Sequence, residues 1–101
     1  MDITAFRASL LEEAPPVGLG LALQTLWWEA KGESKRAHEC AQQDASPAGA
    51  AVHAYLHRVE GDIGNAVYWY GRAGRQHRLD DLATEWDALA TEFLAGRAVS
   101  E

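Results

Sequence analysis

Apolar residues recur along this chain at helical spacing, in runs cut by glycine and proline, and no stretch alternates strictly as a half-buried strand would. Ile3, Phe6, Leu10 and Leu11 follow Asp2, which can cap them; this helix is expected to stop before Pro15-Pro16, because a residue ahead of proline avoids the helical region. A second helix is expected from about Val17 to Lys31. Leu19, Ala22, Leu23, Leu26 and Ala30 form its stripe, and Leu21, Trp27 and Trp28 widen it. A helix apolar around most of its girth is expected to be central. Gly32 breaks it, and "ESKRAHECAQQD" follows with only Ala37, Cys40 and Ala41 as an apolar strip, a small-residue face with a solvated back.

Ser46-Pro47 opens a fourth helix, with serine as N-cap and proline in the first turn, where its missing N–H costs nothing. Ala48, Ala51, Val52, Tyr55, Leu56 and Val59 give it a broad apolar face. Gly61 ends it and Asp62 caps a fifth helix, expected to bury Ile63, Ala66, Val67, Tyr70 and Ala73 and to end near Gly74. Arg72, Arg75, His77 and Arg78 gather at its carboxyl end, where positive charge complements the helix dipole. A sixth helix is expected from about Leu79 to Ala95, stopped by Gly96. Leu79, Leu82, Trp86, Leu89, Phe93 and Leu94 should face inward, and Asp80, Asp81, Glu85, Asp87 and Glu92 mostly water.

The pattern repeats. A shift of 29 residues carries Gly32-Glu33 onto Gly61-Asp62, Ala37 onto Ala66, Leu23 onto Val52, Trp27 onto Leu56, Ala30 onto Val59 and Cys40 onto Trp69. Each copy is a helix, a Gly-acid turn and a second helix, a unit that cannot bury its apolar face alone and therefore stacks. "EGDIGNAVYWYGRAG" resembles the turn and second helix of tetratricopeptide-type repeats, with Gly61, Asp62, Ala66, Tyr70 and Ala73 at the positions that carry the likeness. The first copy keeps Gly32, Glu33 and Ala37 and has Ala41 and Asp44 at the last two. The resemblance covers about 60 residues in mid-chain, on a period shorter than the usual 34 or so. It implies stacked helical hairpins. The phrase "HAYLHRVEGDIGNAVYWYGRAG" also resembles a group of short bacterial proteins of unassigned function, which implies no activity.

Charge and composition narrow the function classes. The 101 residues carry a net charge of −6, split evenly as −3 in each half (4 basic and 7 acidic, then 5 and 8), so a basic arm for nucleic-acid backbone is missing. Cys40 is the single cysteine, which excludes an intrachain disulfide and a four-cysteine metal site. The amino-terminal stretch lacks a signal-peptide pattern, and the longest apolar run, "VGLGLAL", is far too short to span a bilayer. A cytoplasmic protein acting without nucleic acid or membrane is expected.

The chemistry-bearing residues concentrate between His53 and Arg75. His53 and His57 lie four apart on one helical face with Glu60 three further on, a spacing that can chelate a metal, although Ala54 stands where a zincin's catalytic glutamate would be. The competing expectation is that they flank the apolar stripe and bond to Glu60, Asp62 or Asn65, and no metal or cofactor is expected. Trp69 lies with Asn65 and Arg72, either as packing or as an interface anchor. Gly64 and Gly71, seven apart within the fifth helix, suggest close approach of another helix backbone, in the chain or across a dimer. Nucleophilic catalysis has little support: Ser9, Ser34, Ser46 and Ser100 lack a strand-turn-helix elbow, and Cys40 has only His38 and Glu39 nearby in sequence.

The expected fold is all-α, one domain of five or six antiparallel helices. Residues 1–15 form an N-terminal helix, 16–46 and 47–76 two stacked tetratricopeptide-like hairpins, and 79–96 a C-terminal capping helix. The expected function is protein–protein interaction or a homodimeric scaffold rather than enzymatic. The alternative is a small-ligand, metal-binding or catalytic protein using the His53/His57/Glu60 face, with His53, His57, Arg58, Glu60, Asp62, Asn65, Trp69 and Arg72 as candidate binding residues.

Overall fold

The computed structural model describes residues 1–99, and within them every regular element is helical: α1 (Ile3–Ala8) running into a 3-10 turn (Ser9–Leu11), α2 (Leu21–Ala30), α3 (Ser34–Gln43), α4 (Pro47–Val59), α5 (Ile63–Ala73) and α6 (Leu82–Val99). The caps are those the sequence names. The carboxylate of Asp2 accepts from Ala5 N–H at 2.8 Å, the hydroxyl of Ser46 from Gly49 N–H at 3.2 Å, and the carboxylate of Asp62 from Asn65 N–H at 3.3 Å.

The outer helices differ from expectation. α1 ends well before Pro15, and α2 starts at Leu21 rather than Val17. Gly18 takes a left-handed φ of 90° between them, a conformation that cannot continue a helix. The irregular segment is held from outside: Lys31 Nζ donates to the carbonyls of Leu10 and Glu12 at 2.6 and 2.9 Å. α6 begins at Leu82, capped by Asp81, whose carboxylate accepts from Thr84 N–H at 2.7 Å; Leu79 therefore falls in the preceding loop and is 89% exposed. Gly96 does not end α6, which continues to Val99.

The 29-residue repeat is expressed in the turns and in burial. After α2, Glu33 N–H donates to Trp28 C=O at 2.9 Å around Gly32 (φ 79°); after α4, Asp62 N–H donates to His57 C=O at 2.9 Å around Gly61 (φ 80°). Both are Schellman closures, which need the left-handed glycine. The shift carries buried onto buried: Leu23 onto Val52, Trp27 onto Leu56, Ala37 onto Ala66 and Ala41 onto Tyr70. Alanine at 37 and 66 lets the second helix of each pair approach the first.

The main core joins Phe6 of α1, Leu23, Leu26 and Trp27 of α2, Ala37 and Ala41 of α3, Val52, Tyr55 and Leu56 of α4, and Trp86, Leu89 and Leu94 of α6. α4 is the most enclosed helix, buried without a break from Gly49 to Leu56 because α2, α3, α5 and α6 all pack on it. The buried indoles keep their N–H groups bonded, as burial requires: Trp27 Nε1 donates to Ser9 Oγ at 3.0 Å and Trp86 Nε1 to Leu26 C=O at 2.9 Å.

α5 joins this body mainly through α4, in a second, smaller cluster of Ala54, Ala66 and Tyr70 with Trp69 against it. Ile63 and Val67, expected inside, are 46% and 48% exposed. Among the described residues α5 packs mainly on α4, which leaves that flank about half covered. Glu85 is the opposite correction: expected to face water, it is fully buried.

Candidate functional site

The eight candidate residues separate into three groups. Arg58 belongs to a network that holds the helices together. Its guanidinium donates to Glu85 Oε1 at 2.8 Å and also to the Asp80 backbone carbonyl, while Tyr70 Oη donates to the Glu85 carboxylate at 2.6 and 2.8 Å. One buried carboxylate thus links α4, α5 and α6, and its charge is matched by an arginine and a phenol. Burial and the bond to Glu85 push the Tyr70 hydroxyl above its ordinary pKa, so it stays a donor. This is packing chemistry between the helices.

Asp62 and Asn65 form the amino-terminal cap of α5. Besides the backbone bond, Asn65 Nδ2 donates to Asp62 Oδ2 at 2.6 Å, and these bonds hold the Asp62 carboxyl below the usual range. Neither points to a ligand.

The remaining candidates gather in a stack of rings that sequence reasoning left incomplete. His53 and His57 lie parallel, 5.1 Å between centroids at 8°, as the i, i+4 spacing on α4 requires. Trp69 of α5 covers the other side of His53 at 4.0 Å and 12°, and the Arg72 guanidinium stands 5.6 Å from the Trp69 ring. His38 of α3 closes the group edge-on, 5.8 Å from His53 and 5.7 Å from His57. Its place could have been found in the sequence: the shared turn sets α3 and α5 equivalently on their first helices, and His38 falls one position from Ala37, the equivalent of Ala66.

Glu60 serves the outer end of this group. His38 Nε2 is 2.8 Å from Glu60 Oε2. His57 Nδ1 is 3.2 Å from Glu60 Oε1, near enough for attraction but without hydrogen-bond geometry, so that buried nitrogen is left without a directed partner. His53 is the most enclosed imidazole, 8% exposed. Burial first, then the neighbouring imidazoles of His57 and His38, lower its pKa to about 4, against a smaller upward pull from Glu60. At neutral pH its ring is uncharged. Among the described residues no group of three His, Cys, Asp or Glu side chains is arranged to hold a metal ion.

His53, Trp69 and Arg72 also line a cleft of about 520 Å³, completed by the end of α3, the Asp44–Ser46 turn and the first turns of α4. Its floor is fixed. Asp44 Oδ1 accepts from Ser46 N–H at 3.0 Å and from Ser46 Oγ–H at 2.5 Å, and Ser46 in turn caps α4. A Cβ on Gly49 would collide with Asp44, so this turn lies directly against the first turn of α4.

Cys40, Ser9 and Ser46 each stand in a local setting of their own. Burial and the Glu39 charge raise the Cys40 thiol, Ser9 and Ser46 are engaged in bonds to Trp27 and Asp44, and Ser100 lies outside the described residues. No helix among the described residues is long and apolar enough to cross a membrane.

The chain matches no protein-family model, no curated protein and no solved structure. The reading of function therefore rests on its own geometry.

Proposed function

We propose that the chain is a small tetratricopeptide-like interaction module that pairs with a second copy of itself through the outer face of α5. The observation that carries this is the flank left open there. Ile63, Val67 and Tyr68 are 46, 48 and 54% exposed, and a Cβ added at Gly64 or Gly71 meets nothing within 4 Å. The glycines therefore serve no close approach inside the chain, although each costs its helix about 1 kcal/mol against alanine.

A second copy fits this face by symmetry. An antiparallel pairing about a two-fold axis between positions 67 and 68 sets position 64 against 71. Glycine then meets glycine, and Val67 and Tyr68 of one copy lie against those of the other. Such self-complementarity is what an isologous interface needs. The four tryptophans do not call for a dimer: Trp27 and Trp86 are buried, and Trp28 and Trp69 are partly covered. The single free thiol, Cys40, fits a reducing, cytoplasmic setting.

Light scattering behind size-exclusion chromatography tests the proposal. At high micromolar concentration the mass should be twice the 11.0 kDa of the chain. Gly71→Leu should return it to a folded monomer whose Tm no longer depends on protein concentration, because leucine is the better helix former and has open space in the single chain. A monomeric native protein, or a Gly71→Leu variant with unchanged mass, overturns the reading.

A further inference from the structure

The cleft beside His53 and Trp69 lies on the other flank of α5 from Ile63 and Val67, and it is lined by a guanidinium that makes no ion pair among the described residues. Arg7, Arg58, Arg75 and Arg78 each pair with a carboxylate. Arg72 pairs with none among the described residues; it donates to the Tyr68 hydroxyl at 3.0 Å and stands over the Tyr68 and Trp69 rings at 5.9 and 5.6 Å. That arrangement orients the guanidinium at the edge of the cleft with no carboxylate paired to it. A planar fork of donors held in this way is matched in shape and charge by a carboxylate.

The rest of the lining suits an apolar body. Ala41, Ala45, Pro47 and Ala50 offer methyl and methylene surface, and Trp69 adds its indole. His53 presents an uncharged ring, so it adds a polar contact without a second charge. The carboxylate on the lining, Asp44, keeps its charge and takes both Ser46 bonds on Oδ1 at the α3–α4 turn, whereas the Arg72 guanidinium stands on α5. The volume, about 520 Å³, lies within the range of small-molecule sites, roughly 300–1,000 Å³. The Asp44–Ser46–Gly49 bonding sets the cleft before any ligand arrives, which limits the ordering cost of binding.

We propose that this cleft is a binding site for a small organic carboxylate, with Arg72 anchoring the acid group and Trp69 and the α3–α4 alanines holding an apolar ring or chain. Tyr68, which holds Arg72, borders both this cleft and the pairing face of α5.

Phenylacetate is a suitable probe, read by amide and indole shifts in heteronuclear NMR spectra of the full chain. Saturable shifts are expected at the Trp69 indole N–H and at the Ala45 and Ala50 amides. The neutral analogue 2-phenylethanol should bind at least tenfold more weakly, and Arg72→Gln should weaken phenylacetate by about the same factor, as loss of a hydrogen bond to a charged group requires. Arg36→Gln, which alters a guanidinium over Trp28 elsewhere, is the control and should leave binding unchanged. No saturable shift, equal binding of phenylacetate and 2-phenylethanol, tighter binding of phenethylammonium, or an Arg72→Gln variant that binds as well as the native chain each overturns the proposal.

Discussion

Acidification from pH 7 to pH 5 should cost this protein about 2 kcal/mol at one side chain, His53. Unfolded, its imidazole has the ordinary pKa of about 6.5; folded, it lies at about 4. The groups that face it set that value: Trp69 from α5 on one side, His57 on the other with Glu60 beyond, and His38 from α3 edge-on. Between the two pKa values the unfolded chain binds the proton and the folded chain does not, so stability falls as pH falls. The contribution is intact above about pH 6.5, is reduced by roughly 2 kcal/mol at pH 5 and by roughly 3 kcal/mol at pH 4, and changes little below that. His53 is only 8% exposed, so solvent screens the effect weakly. Urea unfolding followed by tryptophan fluorescence at pH 7 and pH 5 measures the loss. His53→Phe keeps a flat ring beside Trp69 and removes the proton site, while His38, His57 and His77 remain. The variant should lose about 2 kcal/mol less than the native chain over the same interval. Equal losses in the two proteins, or an NMR titration placing folded His53 near 6.5, would refute the reasoning.

Four further variants probe the helical framework. Glu85→Ala leaves the Tyr70 phenol without its acceptor and Arg58 with Asp80 alone, and should destabilise by about 2–4 kcal/mol, against about 1 kcal/mol for Tyr70→Phe, which leaves Glu85 paired with Arg58; denaturant midpoints at constant m-value separate them. Gly49→Ala drives a methyl into Asp44 and should lower stability by about 1–3 kcal/mol, despite alanine's better helix propensity, while Gly64→Ala should raise it by about 1 kcal/mol in the monomer, both read as changes in Tm.

Much of the fold was legible locally. The positions of Asp2, Ser46-Pro47 and Asp62 name three helix starts, and Gly32, Gly61 and Gly74 name three ends, because caps and left-handed glycines act through bonds a few residues long. The 29-residue shift is equally local in origin: the same turn with the same small residue after it brings equivalent positions inside. Three kinds of fact needed the tertiary structure. Apolar spacing on α5 predicts a stripe to bury, but whether Ile63 and Val67 are covered depends on where α6 goes, and α6 packs on α1, α2 and α4 instead. Glu85 sits among residues that look solvated, and only the meeting of α4 and α5 with α6 supplies the Arg58 and Tyr70 that make its burial tolerable. The candidate site divides for the same reason. One helix face placed His53 beside His57, but the partners came from elsewhere: Trp69 across the turn, His38 from the preceding repeat, and the α3–α4 turn as the cleft floor. Periodicity states which side of a helix is apolar; the packing of other helices against it decides which polar groups share a space.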